Sequence, residues 1–336
     1  MKIVLLFGGR SAEHEVSVRS AAYVLPKLIL RGYDTVPVGV RKDGTPARYV
    51  GPPSALSADW ERYSLPLSLS VRGERLSFLG PEGDAFSPEL VFSLLHGTYG
   101  EDGAWQGLLT LAKVPFIGSG VLPSALAMNK RVAKELAAHH AIPVTPFVRV
   151  NRICEETRHR VECALRYPVF VKPTSQGSSV GVSRVERSEA LLPAIEAALA
   201  HDNEALVEEA VEGSELEVAV LERDGTLLLS PPGEIRPRGV FFDYDAKYGE
   251  QSGADYLLPS PISLWESAYV KQLAATIFRL FGCRDLARVD FLRRHDGRIF
   301  FNEINTLPGF TEDSLFPRLL SLIDVDPIAF LLEGRS

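Results

Sequence analysis

Leu286-Ala287-Arg288-Val289-Asp290-Phe291-Leu292-Arg293 and Arg298-Ile299-Phe300-Phe301-Asn302-Glu303-Ile304-Asn305, with Asp296-Gly297 between them, form the stretch that decides the fold. Two runs rich in aromatic and β-branched residues around an Asp-Gly pair predict a hairpin, 286–293 returning as 298–305. Side chains two apart in a strand share a face. Arg288 with Asp290, and Glu303 with Asn305, are therefore expected on one surface. Two carboxylates and an amide oxygen are hard ligands of the kind that hold Mg²⁺ bridged to nucleotide phosphates. Phe291, Phe300 and Ile304 are expected on the opposite, core-facing side. The same parity places Leu292 and Phe301 beside the polar cluster, where they could wall an adenine or simply join the core.

Working back along the chain, Lys172-Pro173-Thr174-Ser175-Gln176-Gly177-Ser178-Ser179-Val180-Gly181 is a strand end opening into a loop of small residues. Such a loop lets backbone N–H groups approach a phosphate while a lysine adds charge. Lys172, Ser179 and the helix residue Lys130 are candidate phosphate ligands, although an ordinary flexible hairpin would have the same composition. Glu208-Glu209-Ala210-Val211 ends another strand, and a hinge there could offer backbone groups to an adenine edge, with Glu215 reaching the ribose hydroxyls. Two further polar loops follow strands near the N-terminus: Gly8-Gly9-Arg10-Ser11-Ala12-Glu13 and His96-Gly97-Thr98-Tyr99-Gly100-Glu101-Asp102-Gly103. In open α/β sheets ligands bind beyond the C-terminal ends of strands. These loops therefore mark a substrate site, with Glu13 suited to an ammonium group.

The elements alternate as a parallel sheet requires. Strands are expected at 3–7, 35–40, 90–95 and 115–117, with a helix over 13–30. Residues 44–89 read as an insertion containing one hairpin. A helical region at 122–140, interrupted at Asn129, precedes strands at 169–172, 182–185 and 205–211 and a helix at 189–200. Strands at 216–222 and 226–229, an irregular segment at 231–256 and a helix at 264–281 lead into the hairpin. Three units follow, 1–120, 121–212 and 213–336.

With 46% hydrophobic and 24% charged residues the chain has the composition of a soluble globular protein, and a net charge of -7 argues against a nucleic-acid or anionic-membrane surface. Cys154, Cys163 and Cys283 are odd in number and widely spaced, which suits reduced thiols rather than a disulfide frame. The apolar start runs directly into Gly8-Gly9 without a cleavage pattern, so a cytoplasmic enzyme is expected.

Several of these motifs, in order, resemble the D-alanine–D-alanine ligases of the ATP-grasp superfamily. They are Gly8-Gly9-x-Ser11-Ala12-Glu13-x-Glu15-Val16-Ser17, His96-Gly97-x-x-Gly100-Glu101-Asp102-Gly103, Gly118-Ser119-Gly120, Lys172-Pro173 with Gly177-Ser178-Ser179-Val180-Gly181, and Arg288-Val289-Asp290 followed by Glu303-Ile304-Asn305-Thr306-x-Pro308-Gly309. The resemblance implies an α/β protein of three domains: an N-terminal parallel-sheet domain and two α+β domains that sandwich ATP. It also implies two Mg²⁺ or Mn²⁺ ions on Asp290, Glu303 and Asn305, two D-alanine substrates and a homodimer serving peptidoglycan precursor synthesis. Glu13, linked to Ser178 and Tyr248, would bind the first D-alanine, with His96 beside that site. Arg288 and the Gly309 N–H would form an oxyanion hole, Ser314 and Leu315 would meet the second D-alanine, and Lys247 would touch the transferred phosphate. The segment 231–256 resembles the family's ω-loop, and Tyr248 favours an amine acceptor over the hydroxyl of D-lactate.

Departures from the family pattern are Trp105, Phe301 and Glu209. An NAD-dependent dehydrogenase would need Gly-x-Gly-x-x-Gly after the first strand, which Gly8-Gly9-Arg10-Ser11 does not supply. A non-catalytic relative would lack a metal ligand or the arginine, and none is missing.

Overall fold

The computed structural model describes residues 1–237 and 254–335. Strand Lys2–Gly8 lies inside a six-stranded sheet, parallel to Asp34–Val40 on one side and Leu90–Ser93 on the other. Ile3, Leu5 and Phe7 bury into one hydrophobic core while Val4 and Leu6 bury into another, so both faces of the strand are covered. That is why its sequence is continuously apolar rather than alternating. Helix His14–Leu30 covers the first of these faces. The stretch 44–89 corrects the single-hairpin expectation. Pro46–Tyr49 and Ser64–Pro66 extend the edge of the main sheet, and Ser68–Arg72, Arg75–Leu79 and Ala85–Phe86 build a separate three-stranded sheet.

A second, antiparallel sheet runs Phe147–Val150, Ala205–Glu209, Val169–Pro173, Ser183–Val185. The third is centred on Gly213–Arg223, paired with Leu286–Arg294, which pairs in turn with Ile299–Asn305. Gly233–Pro237 and Ala254–Leu257 pair with each other as strands of this sheet. The irregular segment expected at 231–256 therefore has ordered strands at both ends.

Asn129 breaks the helical region because it starts the second helix. Its side chain accepts a hydrogen bond from the Val132 N–H (3.0 Å) at the head of Lys130–His139. Both helices, Val121–Met128 and Lys130–His139, bury Ala127, Ala133 and Ala137 against the third sheet. Helix Leu264–Leu280 packs on the same face and starts with a reciprocal cap, Ser263 Oγ to the Glu266 N–H (3.2 Å) and Glu266 Oε2 to the Ser263 N–H (3.1 Å). The short terminal helices Leu315–Ser321 and Pro327–Leu332 place Phe316, Leu319, Leu320 and Leu331 in the core that also holds Phe7, Val24 and Leu28. No helix among the described residues is long and apolar enough to cross a membrane.

Candidate active site

The hairpin forms with its polar cluster as expected, but with a register shift after Asp290. Arg288 pairs with Asn305 and Asp290 with Glu303, whereas Phe291 pairs with Phe301, leaving Asn302 as an extra residue in its strand. Such a bulge reverses the parity beyond it. Phe301 is consequently a core residue with no exposed surface, packed with Phe281 and Phe291. The expectation that its side chain walls the ligand surface is corrected. Phe300, which pairs with Leu292 and keeps partial exposure, takes that place. The bulged Asn302 donates from Nδ2 to Glu215 Oε1 (3.3 Å).

On the polar face Arg288 forms a two-pronged contact with Asp290, Nε to Oδ1 at 2.8 Å and Nη2 to Oδ2 at 2.7 Å. A second carboxylate, Glu217, stands 3.0 Å from Arg288 Nε. Burial works against the guanidinium charge, but Asp290 and Glu217 outweigh it and hold Arg288 well above its ordinary value. The cation is thus permanent. Glu217 escaped sequence reading although it lies two residues from Glu215, on the same face of the same strand. Arg288 supplies one positive charge against the negative charges of Asp290, Glu217 and Glu303, and the oxygens of Asp290, Glu303 and Asn305 share a surface, so the donor set suits a divalent cation. Each carboxylate oxygen has lone pairs enough to serve both Arg288 and a metal.

Opposite stands the loop of small residues. Ser178 and Ser179 both adopt left-handed backbone (φ 48° and 57°), a conformation that side chains other than glycine tolerate at a cost of about 1–3 kcal/mol each. Lys130, placed by the Asn129 cap, is tied to this region by its own N–H to the Thr174 carbonyl (2.8 Å) and by Nζ to the Gln176 carbonyl (2.6 Å). Its ammonium also lies 3.5 Å from Glu303 Oε2, joining the small-residue loop to the hairpin.

Lys172 reaches inward to Glu208, which is almost wholly buried between Lys172 and Lys134 (Nζ to Oε2 2.8 Å) and accepts from Thr145 Oγ1 (2.8 Å). Burial drives the Glu208 carboxyl upward, and the two lysines more than reverse it, holding it well below the usual range. Lys134 is itself buried and shifted down by that burial against the pull of Glu208. Next to it, the Glu209 N–H donates to the Pro146 carbonyl and the Ala210 N–H to the Pro168 carbonyl, both at 3.0 Å. The N–H groups of those two hinge residues are therefore already engaged within the protein.

The N-terminal loops meet the small-residue loop directly. Ser178 Oγ donates to Glu13 Oε1. A Cβ on Gly97 would lie 2.7 Å from Glu13 Oε2, and one on Gly177 2.6 Å from it, so glycine at both positions is what admits the carboxylate. Glu101 Oε1 accepts the Gly97 N–H at 2.8 Å, and loss of solvent, with Glu13 adding to it, pushes its carboxyl up to about 8. Sequence reading gave Glu101 no role, because a carboxylate in a Gly-Glu-Asp-Gly loop looks solvated.

His96 is buried. Its Nδ1 lies 2.9 Å from the Leu307 carbonyl and its Nε2 3.4 Å from Ser20 Oγ, so both ring nitrogens are engaged by neighbouring protein. Ser314 stands at the head of helix Leu315–Ser321 without a side-chain cap bond; its Oγ instead accepts the Thr311 N–H (3.0 Å), and a Cβ on Gly309 would meet that oxygen at 2.9 Å. The Leu315 side chain is buried in the core. Lys247 and Tyr248 lie outside the described residues.

A mixed sheet whose central strands are parallel, with two polar loops at the ends of those strands, joined to two antiparallel sheets that carry a small-residue loop and an acidic hairpin, defines an ATP-grasp architecture. Comparison with known proteins narrows this. The family described as D-ala D-ala ligase N-terminus matches residues 2–119, and D-ala D-ala ligase C-terminus matches residues 136–327. A D-alanine–D-alanine ligase of Caldicellulosiruptor bescii is 37% identical, over 99% of this chain and 93% of its own. Among solved structures, VanG D-Ala:D-Ser ligase from Enterococcus faecalis superposes with a TM-score of 0.89 at 35% identity, over 98% of this chain and 97% of its own. The D-alanine–D-alanine ligase from Coxiella burnetii gives 0.86 at 29% identity, over 98% and 91%. The chain belongs to the D-alanine–D-alanine ligase family.

Proposed function

We propose that the protein joins two D-alanines into D-alanyl-D-alanine at the expense of ATP, for peptidoglycan precursors, as a cytoplasmic homodimer of units 1–120, 121–212 and 213–336. The observation that carries this reading is the hydrogen bond from Ser178 to Glu13, which sets an ammonium-binding carboxylate against the loop built for phosphate. Glu13 holds the ammonium of the first D-alanine, so that its carboxylate is directed at the γ-phosphate of ATP. Lys130, Lys172 and Ser179 bind the phosphates, while the hinge 208–211, Glu215, Leu292 and Phe300 hold the nucleoside. Transfer gives an acyl phosphate and ADP. The amine of the second D-alanine, held by Ser314 and by the backbone of Leu315, attacks the acyl carbon. Negative charge then gathers on its oxygen, facing Arg288 and the Gly309 N–H, and the tetrahedral adduct collapses with departure of phosphate and loss of a proton from the nitrogen. A preorganised donor of this kind is worth about 2.7–4 kcal/mol. Asp290, Glu303 and Asn305 would hold Mg²⁺ or Mn²⁺, which when bound neutralises phosphate charge. Family resemblance gives Lys247 a part in the phosphate chemistry and Tyr248 one beside Glu13 and Ser178, both residues lying outside those described.

ADP release measured with and without D-alanine, in the presence of Mg²⁺, tests the reading. Release that ignores D-alanine removes it. The likeness to VanG makes D-serine a second acceptor reading, and D-serine and D-lactate offered in competition with D-alanine separate these cases.

A further inference from the structure

Three buried hydrogen bonds link the N-terminal unit to the loop that carries Gly309. The Phe310 N–H donates to Ser20 Oγ (3.2 Å), Ser20 Oγ lies 3.4 Å from His96 Nε2, and His96 Nδ1 lies 2.9 Å from the Leu307 carbonyl. Ser20 has no exposed surface and His96 only 5%. With a neutral imidazole, proton bookkeeping allows one arrangement. A carbonyl can only accept, so Nδ1 carries the proton and donates to Leu307. A neutral ring then offers a lone pair at Nε2, the Ser20 hydroxyl donates to it, and the Ser20 oxygen remains free to accept from Phe310. Burial, reinforced by the Arg288 charge, favours the neutral ring against Glu13 and the Leu307 carbonyl. Both ends of the chain of bonds land on one short loop, on either side of Pro308-Gly309. That loop is also fixed from the hairpin, where the Leu307 N–H donates to Asn305 Oδ1 (3.1 Å). On the other side, Ser11 Oγ donates to the His96 carbonyl (2.6 Å), so the histidine is anchored to the loop that carries Glu13.

We propose that Ser20 and His96 form a buried latch that holds the Leu307–Phe310 loop in register with the Glu13 loop, and so fixes where the Gly309 N–H meets the developing oxyanion. Both are positioning residues: their effect falls on the transition state rather than on substrate binding. The inference rests on the ligase reading for its catalytic consequence, but the latch itself is a structural claim with its own readout.

The test uses the full-length protein and Ser20→Ala, which deletes the hydroxyl with little change in volume. Amide hydrogen exchange is compared first. Residues 306–310 should exchange at least tenfold faster in the variant while the hairpin is unaltered, and unchanged exchange overturns the latch whatever the enzyme's substrates prove to be. Wild-type ADP release is then measured with D-alanine, and failure there removes the ligase reading without touching the exchange result. With turnover established, kcat should fall about tenfold with the KM for ATP within twofold. Affinity for a phosphinate analogue of the dipeptide, tetrahedral at the attacked carbon, should fall by the same factor. Ser20→Ala combined with His96→Asn should be no worse than the more damaging single change, as expected of groups acting as one unit. A kcat that holds, an ATP KM that rises with it, or additive losses would each show a merely structural role. Should Ser20→Ala not fold, Ser20→Cys keeps a weaker donor and acceptor; an intermediate loss of kcat supports the latch and an unaltered kcat overturns it.

Discussion

Two charge networks flank the proposed nucleotide site, and they differ in sign. Under the hinge, Lys134 and Lys172 share the single carboxylate of Glu208, an excess of one positive charge. On the hairpin face, Arg288 is shared by Asp290 and Glu217, an excess of one negative charge before Glu303 is counted. Each network satisfies most of its own charge, which is the condition for keeping ions in a low-dielectric interior. The residue of opposite sign left on each side is what a nucleotide with its divalent cation can neutralise. The lesson is that the cleft is polarised by deliberate imbalance within compensated clusters, not by unpaired ions.

The strongest challenge to this view is Glu208→Ala, which leaves the buried Lys134 and the partly buried Lys172 without their anion. A loss of about 3–5 kcal/mol is expected, read from the denaturant midpoint, and a loss below about 1 kcal/mol would mean the lysines are effectively solvated. The boundary between the regions is tested at the bulge. Phe301→Ala should cost about 3–5 kcal/mol of stability, whereas Phe300→Ala should leave stability nearly intact and raise the KM for ATP several-fold; the reverse pattern would restore the uninterrupted register. For the negative network, Arg288→Ala should lower turnover by about 10²–10³ with little change in nucleotide affinity. Because Asp290 and Glu217 then lose their cation, Mg²⁺ should also raise the melting temperature of this variant more than that of the wild type.

An effect confined to high pH is expected at Glu101. A carboxyl raised to about 8 in the folded protein, against an ordinary 4.5, binds a proton that the unfolded chain has lost across that window, so stability falls as pH rises from about 4.5 to 8. Without divalent cations, Glu101→Gln should melt with the wild type near pH 4 and well above it at pH 8.5, by up to about 10–20 °C for a shift of this size at roughly 1.4 kcal/mol per unit and 2–4 °C per kcal/mol. Equal melting at both values would place Glu101 in solvent.

What could be read from the chain without coordinates follows from how local each signal is. The hairpin was legible because Asp296-Gly297 and the flanking residues carry it within twenty positions, and the metal-type oxygens came with it. The bulge was not, because Phe300-Phe301-Asn302-Glu303 satisfies an alternating pattern in either register and only packing against Phe281 and Phe291 decides. Glu13 and Ser178 were paired in advance only through family resemblance, being 165 positions apart. Lys134 offered no local sign at all, since a lysine on an amphipathic helix is ordinarily solvated. The sheet at 68–86 was hidden by its polar, glycine-rich composition, and the strands 233–237 and 254–257 by the irregular sequence between them.

The core shared by the first helix and the last two has a kinetic consequence. Ser20 and Phe310 are 290 positions apart, and Phe7 and Val24 share their core with Phe316 and Leu331. Contacts of such sequence separation close late, because the intervening chain must first be ordered. The second sheet, whose four strands span only 147–209, can be complete while the two ends are still apart. During refolding, recovery of secondary structure should therefore precede recovery of turnover, and an incompletely translated chain would hold its hinge and small-residue loop before it could assemble the place where the peptide bond is made.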